Sequence, residues 1–408
     1  MHLGRRARSN RIGILVVNEF SGYQAAVLSD DVYTLTKLKT IQQAVTFLKS
    51  KHGDVFSIDE QNVLKGATGG PSVIKVRTAF GFTLLGKNQL KGHAVVLFRG
   101  TQYLADWLTN FNITVSSSAS GEPVHDGFNQ SFKSMKPQIE AFMAIAKKNQ
   151  VHTIHCVGHS LGGALATVCA DWLNSTYNWK PYVYTFGSPR VGLHTFASTY
   201  TKNIGAERIF RAYHKTDIVP CIPTWPFTHT PNPGVDYFLP SPGIVPLAEY
   251  HGMDHYMASV KGKSWQALAN LREADKDENS VAKWLKEETP LGLTISSIEW
   301  LNHALIYVLE KCLAGASWLI SRTFSTSFTL LDRLAFILQK GVNLADTVST
   351  WVVYLMRKIM QVLGMGKVVK AADLTQHFIR NVLVTLQQRV NHLSQSVLSQ
   401  VLVQGRAV

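Results

Sequence analysis

Residues 151–173 read VHTIHCVGHSLGGALATVCADWL. The opening run Val151–Val157 is rich in apolar and β-branched residues, as a strand is. From Leu161 onward small and apolar residues continue without a breaker, as in a buried helix. Between them stands Gly158-His159-Ser160-Leu161-Gly162, a G-x-S-x-G pattern with a polar pair at its centre. Interior polar groups cost free energy unless they find partners. A serine at a sharp strand-to-helix turn resolves the puzzle. The turn pushes its hydroxyl out at the carboxyl end of the strand, and the glycines are needed where a Cβ would collide with strand or helix. The N–H of Leu161, at the helix start, then points to where an oxyanion on an attacked carbonyl would form.

The sequence around this turn repeats its grammar. PSVIKVRTAFGFTLLG (71–86), GHAVVLFRG (92–100), PYVYTFGS (181–188) and ERIFRAYH (207–214) read as strands, with a helix predicted over 130–149. GHAVVLFRG is almost wholly apolar, as expected of a strand covered on both faces. SSSASGEP (116–123) reads as a polar loop. Leu35, Leu38, Ile41, Val45 and Leu48 predict an amphipathic helix that stops at Gly53. Residues 218–249 are rich in proline and aromatics, so they read as a long ordered loop. Strands alternating with helices give an α/β domain with a mostly parallel sheet.

A reactive serine needs a base, and the base an orienting carboxylate. In α/β-hydrolases these follow in the order Ser, Asp or Glu, His. Asp217 comes next, just past the strand 207–214, and AEYHGMDHYMASV (248–260) then offers His251 and His255. His159, beside the serine, points away from it at such a turn and reads as a packing residue.

These residues resemble the class 3 (fungal-type) lipase family, over roughly 90–260. The resemblance rests on five blocks in order: VVLFRGTQYLADWLTN (95–110), VHDGF (124–128), VGHSLGGALA (157–166), TFGSPRVG (185–192) and DIVPCIP (217–223). It implies Ser160 as nucleophile, Asp217 as orienting acid and Thr101 as the second oxyanion-hole donor beside the backbone of Leu161. It also implies a lid helix near 102–111 and a positioning role for Asp106 and Trp107. In plant and bacterial relatives a tyrosine often follows the catalytic histidine by five residues. His251 and Tyr256 fit that spacing, which favours His251, with His255 as the alternative. The implied activity is lipase or phospholipase A, with no cofactor and no metal.

The chain has 408 residues, of which 46% are apolar and 17% charged, a composition that disfavours disorder. Its formal charge is +14, but the basic residues are scattered and form no nucleic-acid arm. The four cysteines, 156, 169, 221 and 312, lack metal-site spacing and read as buried reduced thiols. The only apolar run near the start, Ile12–Val17, is too short for a signal peptide. The expectation is cytoplasmic synthesis, with export by a leaderless route or a membrane-peripheral location.

The expected organisation is a hydrolase domain over 1–264, a charged connector over 265–290 and an all-α region over 291–408. Ile379, Leu383, Leu386, Val390, Leu393, Val397 and Val401 space a seam for helix packing. Charges interrupt every apolar stretch there, which disfavours a membrane span. The region carries 11 Lys and Arg against 5 Asp and Glu. It could therefore pack on the hydrolase or serve as a basic device for peripheral contact with an anionic membrane. The rival to an enzyme is a catalytically silent protein that binds membrane or partner through these helices.

Overall fold

A computed structural model describes residues 19–68, 76–101, 114–271, 278–288, 291–314, 330–366 and 370–403. Strands β1 (Phe56–Ser57) and β2 (Val63–Thr68) both pair antiparallel with β3 (Val76–Gly86), and β3 pairs antiparallel with β4 (His93–Phe98). A hairpin of β5 (Val115–Ser117) and β6 (Pro123–His125) stands apart from this sheet. From β4 the main sheet turns parallel through β7 (Thr153–His159), β8 (Tyr182–Phe186), β10 (Ile209–His214) and β12 (Tyr237–Leu239). The short strands β9 (Gly192–Leu193) and β11 (Phe227–Thr228) join the hairpin in a second, antiparallel sheet. The mostly parallel sheet and the helical C-terminal region expected from the sequence are both present.

Side chains alternate across a strand, so β4 sends Ala94, Val96 and Phe98 to one face and Val95 and Leu97 to the other. Both sets are buried. The first face is covered by helices Asp126–Lys148 and Leu161–Tyr177, the second by helices Gly22–Asp31, Met253–Val260 and Trp265–Ala269. Each buried aliphatic or aromatic side chain of this kind stabilises the fold by about 1.5–3 kcal/mol. The register pairs Phe98 with Gly158 and His159 with Phe186, so β4, β7 and β8 end at one level. The connections leaving those ends are thereby gathered at the carboxyl edge of the sheet.

Three local readings change. The helix expected across 35–53 is broken at Leu38, which is extended and exposed. Thr40 and Gln43 close a capping box that starts a fresh helix at Ile41, and reciprocal bonds of this kind outweigh the apolar spacing that ran through them. Part of the stretch read as a polar loop forms β5, because Ser116 and Ser117 take hydrogen bonds from the Asn129 side-chain amide. Within the proline-rich stretch 218–249, Tyr237–Leu239 escapes the prolines, pairs with Ala212–His214 and becomes a buried edge strand.

On the stretch read as connector, Trp265 and Leu268 are buried against the second sheet face, and the Trp265 indole N–H donates to the Phe20 carbonyl at 2.8 Å. Beyond it, helices Ile295–Ala314, Leu330–Val342, Asp346–Val362 and Gln376–Val403 pack on one another. Their seam residues Ile379, Leu383, Leu386, Val390 and Val397 are buried, in an apolar core continuous with the first sheet face. All four cysteines are buried free thiols. Among the described residues no helix is long and apolar enough to cross a membrane.

Candidate active site

Ser160 occupies φ +57°, ψ −129°, a left-handed conformation that a residue with a Cβ adopts only under strain. Its N–H donates to Phe186 O and its carbonyl accepts from the Gly163 N–H, both at 2.9 Å. The neighbouring glycines permit the turn. A Cβ on Gly158 would stand 2.2 Å from Gly162 O, and one on Gly162 would stand 2.3 Å from Phe98 O. The helix Leu161–Tyr177 begins directly after the serine and aims the positive end of its dipole at the turn.

His251 lies in a short 3₁₀ turn, Ala248–His251, before helix Met253–Val260. Its Nε2 is 3.0 Å from Ser160 Oγ and its Nδ1 is 2.8 Å from Asp217 Oδ2. Asp217 follows the end of β10, and its carboxylate accepts three hydrogen bonds from the described residues. Besides His251, Tyr256 Oη donates to Oδ2 at 2.7 Å and the Val219 N–H donates to Oδ1 at 3.0 Å. Ser160 is 0% exposed and Asp217 and His251 are each 1% exposed. Water screening is therefore weak, and each of these polar contacts counts for more than it would at a surface.

The structure separates the two candidate histidines. His255 is part-exposed on helix Met253–Val260, its ring against Tyr250, with Asp254 4.0 Å away. His159 does point away from the serine, but it bonds as well as packs. Its Nε2–H donates to the His251 carbonyl and its Nδ1 accepts from the Tyr33 hydroxyl, each at 2.7 Å. Burial holds His159 well below its ordinary pKa, and the neighbouring His251 adds to the shift. His214, at the end of β10, is lowered to about 4, mainly by burial. Neutral, it donates from Nδ1 to Tyr250 O at 2.8 Å and accepts the Ser259 hydroxyl at Nε2, which ties the strand to the His251 turn.

Thr101 is buried at the end of the strap that follows β4. The strap lies against the elbow: a Cβ on Gly100 would stand 2.9 Å from Ser160 Cβ and 3.1 Å from His159 O. The lid expected near 102–111, with Asp106 and Trp107, lies outside the described residues. No cluster of three or more metal-ligating side chains occurs among the described residues.

Sequence reasoning missed Gly187 and Tyr33 and gave Tyr256 only a spacing. Gly187 has φ +56°, and a Cβ there would stand 2.7 Å from Asp217 Oδ2 and 3.0 Å from His251 Nδ1. Its place in TFGSPRVG was a visible signal; Tyr33 sits in a separate segment and offered none.

The C-terminal helices meet this edge directly. Arg190, fully buried in the TFGSPRVG loop, takes its partners from helix Ile295–Ala314: Glu299 at 2.8 Å and Asn302 at 3.1 Å. Its Nε also donates to His229, and its backbone N–H donates to Ile222 in the loop after Asp217. Helix Gln376–Val403 lies against the turn that carries His251.

Residues 95–227 match the family model described as Lipase (class 3). A secreted mono- and diacylglycerol lipase 1 of Fusarium solani is 37% identical over 156 residues, covering 37% of this chain and 45% of that protein. A phospholipase A1-II 1 of Oryza sativa subsp. indica is 27% identical over 237 residues, covering 50% and 58%. A lipase of Rhizomucor miehei is 31% identical over 156 residues, covering 35% and 41%. The chain thus spans about half the length of the curated relatives it matches.

Proposed function

We propose that this chain, which carries a class 3 lipase segment over residues 95–227, is a serine-dependent carboxylic ester hydrolase acting on lipids. The observation that carries the reading is the line of short contacts Ser160–His251–Asp217, built on a strained elbow. In this mechanism His251 Nε2 takes the Ser160 proton as Oγ attacks the ester carbonyl. The imidazolium stays oriented because Asp217 accepts its Nδ1–H. The N–H groups of Leu161 and Thr101 receive the tetrahedral oxyanion; each such donor is worth roughly 100- to 1,000-fold in rate. His251 returns its proton to the departing alcohol. Water then enters and attacks the acyl carbonyl as His251 takes its proton; the acyl–Oγ bond breaks, the fatty acid leaves and His251 returns the proton to Ser160 Oγ.

Two observations support a lipid surface as the working partner. Ile244 and Val245 are 60% and 55% exposed, the barest large apolar side chains among the described residues. Their loop is tied at both ends to Thr216, beside Asp217: Ser241 Oγ accepts the Thr216 N–H, and Leu247 N–H donates to Thr216 O. A fixed apolar tip at the catalytic edge suits contact with lipid, while the buried seams of 291–408 favour a packing role for that region. Its excess positive charge remains available to attract an anionic membrane.

The test is fatty-acid release by the purified protein from anionic phospholipid vesicles beside a triacylglycerol emulsion, with Ser160→Ala as control. Release mainly from phospholipid assigns phospholipase A activity; release mainly from triacylglycerol assigns a lipase. Turnover by Ser160→Ala equal to the parent would overturn the mechanism. Ile244→Asp with Val245→Asp should lower turnover on vesicles about tenfold or more, from two lost apolar side chains. Turnover of a soluble short-chain ester should stay unchanged.

A further inference from the structure

Tyr33 lies in the turn between helices Gly22–Asp31 and Thr34–Lys37, far from the lipase motifs in sequence. It is nonetheless buried beside Gly100 and the elbow. Its hydroxyl takes part in two hydrogen bonds, to the Gly100 N–H at 3.0 Å and to His159 Nδ1 at 2.7 Å. His159 Nε2 then reaches the His251 carbonyl at 2.7 Å. The ends of this chain fix every proton in it. An amide N–H can only donate, so Tyr33 Oη accepts from Gly100. A carbonyl can only accept, so the His159 proton sits on Nε2 and leaves Nδ1 bare. The Tyr33 hydroxyl must therefore donate to Nδ1, and both its roles are filled.

We propose that Tyr33 and His159 are positioning residues that lock the oxyanion strap, the elbow and the base turn into one rigid frame. The inference rests on the reading of Ser160 and His251 given above. The strap has little freedom of its own, since a Cβ on Gly100 would stand 2.3 Å from Tyr33 Oη. Tyr33 thus sets how closely the strap, and with it Thr101, approaches Ser160. Through His159 the same hydroxyl is joined to the backbone of the residue that carries the proton. The arrangement requires a neutral His159, and burial keeps it neutral; burial likewise raises the Tyr33 hydroxyl, which keeps its proton. A neutral His159 also adds no repulsion when His251, whose ring centroid is 4.6 Å away, becomes charged during turnover.

The experiment compares the full chain with Tyr33→Phe, His159→Asn and Ser160→Ala on a soluble short-chain ester. Each rate is divided by the number of sites that react with a phosphonate titrant. Tyr33→Phe should lower kcat per titrated site about tenfold, the size expected for one buried hydrogen bond that serves the transition state. KM should stay within about twofold, and binding of a boronic acid that forms a tetrahedral adduct should weaken by a factor like that on kcat. His159→Asn keeps an acceptor for Tyr33 but drops the bond to the His251 carbonyl, and should also lose turnover per site. It decides the matter if Tyr33→Phe does not fold. A merely structural role would lower the titrated fraction or the Tm and leave kcat per site and boronate affinity unchanged. That outcome, with Ser160→Ala inactive, overturns this inference and leaves the proposed function standing. Turnover by Ser160→Ala equal to the parent overturns both.

Discussion

The carboxyl edge of the sheet and the seams of the C-terminal helices are both buried, yet they are built on opposite principles. The edge is polar: Ser160, His251, Asp217, Tyr256, His159 and Tyr33 are joined to one another by hydrogen bonds. Its backbone is strained at Ser160 and admits only glycine at 158, 162 and 187. The C-terminal helices are apolar seams laid side by side, and they meet the sheet domain through the ion pair Arg190–Glu299. Directional bonds fix atoms to fractions of an ångström, which proton transfer and oxyanion capture require. Apolar seams fix helices less exactingly but supply area. The first region is organised for chemistry and the second for holding the first in place.

That contrast can be broken most sharply within the polar region. His251→Ala should cost at least about 10⁴-fold in kcat, as loss of a triad member does. His255→Ala should stay within about twofold. Steady-state kinetics on a soluble ester checks both, and the reverse ranking would move the base to the wrong side of helix Met253–Val260.

The joint between the regions gives the next effect. Glu299→Ala removes the carboxylate that balances the buried Arg190 charge and leaves it only neutral partners, at a cost of about 3–5 kcal/mol. Denaturant unfolding should show that loss, while kcat per titrated site on a soluble ester, read well below the Tm, should fall far less than in His251→Ala. An unchanged midpoint would mean that the two regions are not joined through this pair.

A smaller, graded effect comes from acid. Burial lowers His214 to about 4 and His125 to about 3, and holds His155, His159 and His229 well below 6.5. Between these values and 6.5 the unfolded chain binds more protons than the folded one. Stability is therefore at its full value above about pH 6.5 and falls as pH drops towards 4. The Tm should decline steadily from pH 7 to 5. A flat profile would show that these histidines are less enclosed than they stand here.

The same contrast governs what could be read from the sequence. The elbow was legible because strain and crowding leave few residue choices: only small residues fit at 158 and 162, and a strand–turn–helix is what sets the Ser160 hydroxyl at the carboxyl end of the strand. Asp217 was legible from its order in the chain and from the block around it. His251 needed the Tyr256 spacing, since residue type alone left His255 open. Tyr33 was illegible because its partnership spans 126 residues and depends on how a whole helix layer packs. The C-terminal seam announced helix packing through its spacing, but not its partner. It closes onto the sheet's own core, with Arg190 meeting Glu299 at the joint, and neither residue signals the other in sequence. Helix 35–53 failed for a local reason, because the Thr40–Gln43 box outweighed a continuous apolar stripe.

The most direct test of the account is to label the native protein with a fluorophosphonate and identify the modified residue by mass spectrometry. A single adduct on Ser160 is expected, formed in step with loss of ester hydrolysis and absent in His251→Ala. Hydrolysis that persists after Ser160 is fully labelled, or inactivation that tracks an adduct on another residue, would contradict it.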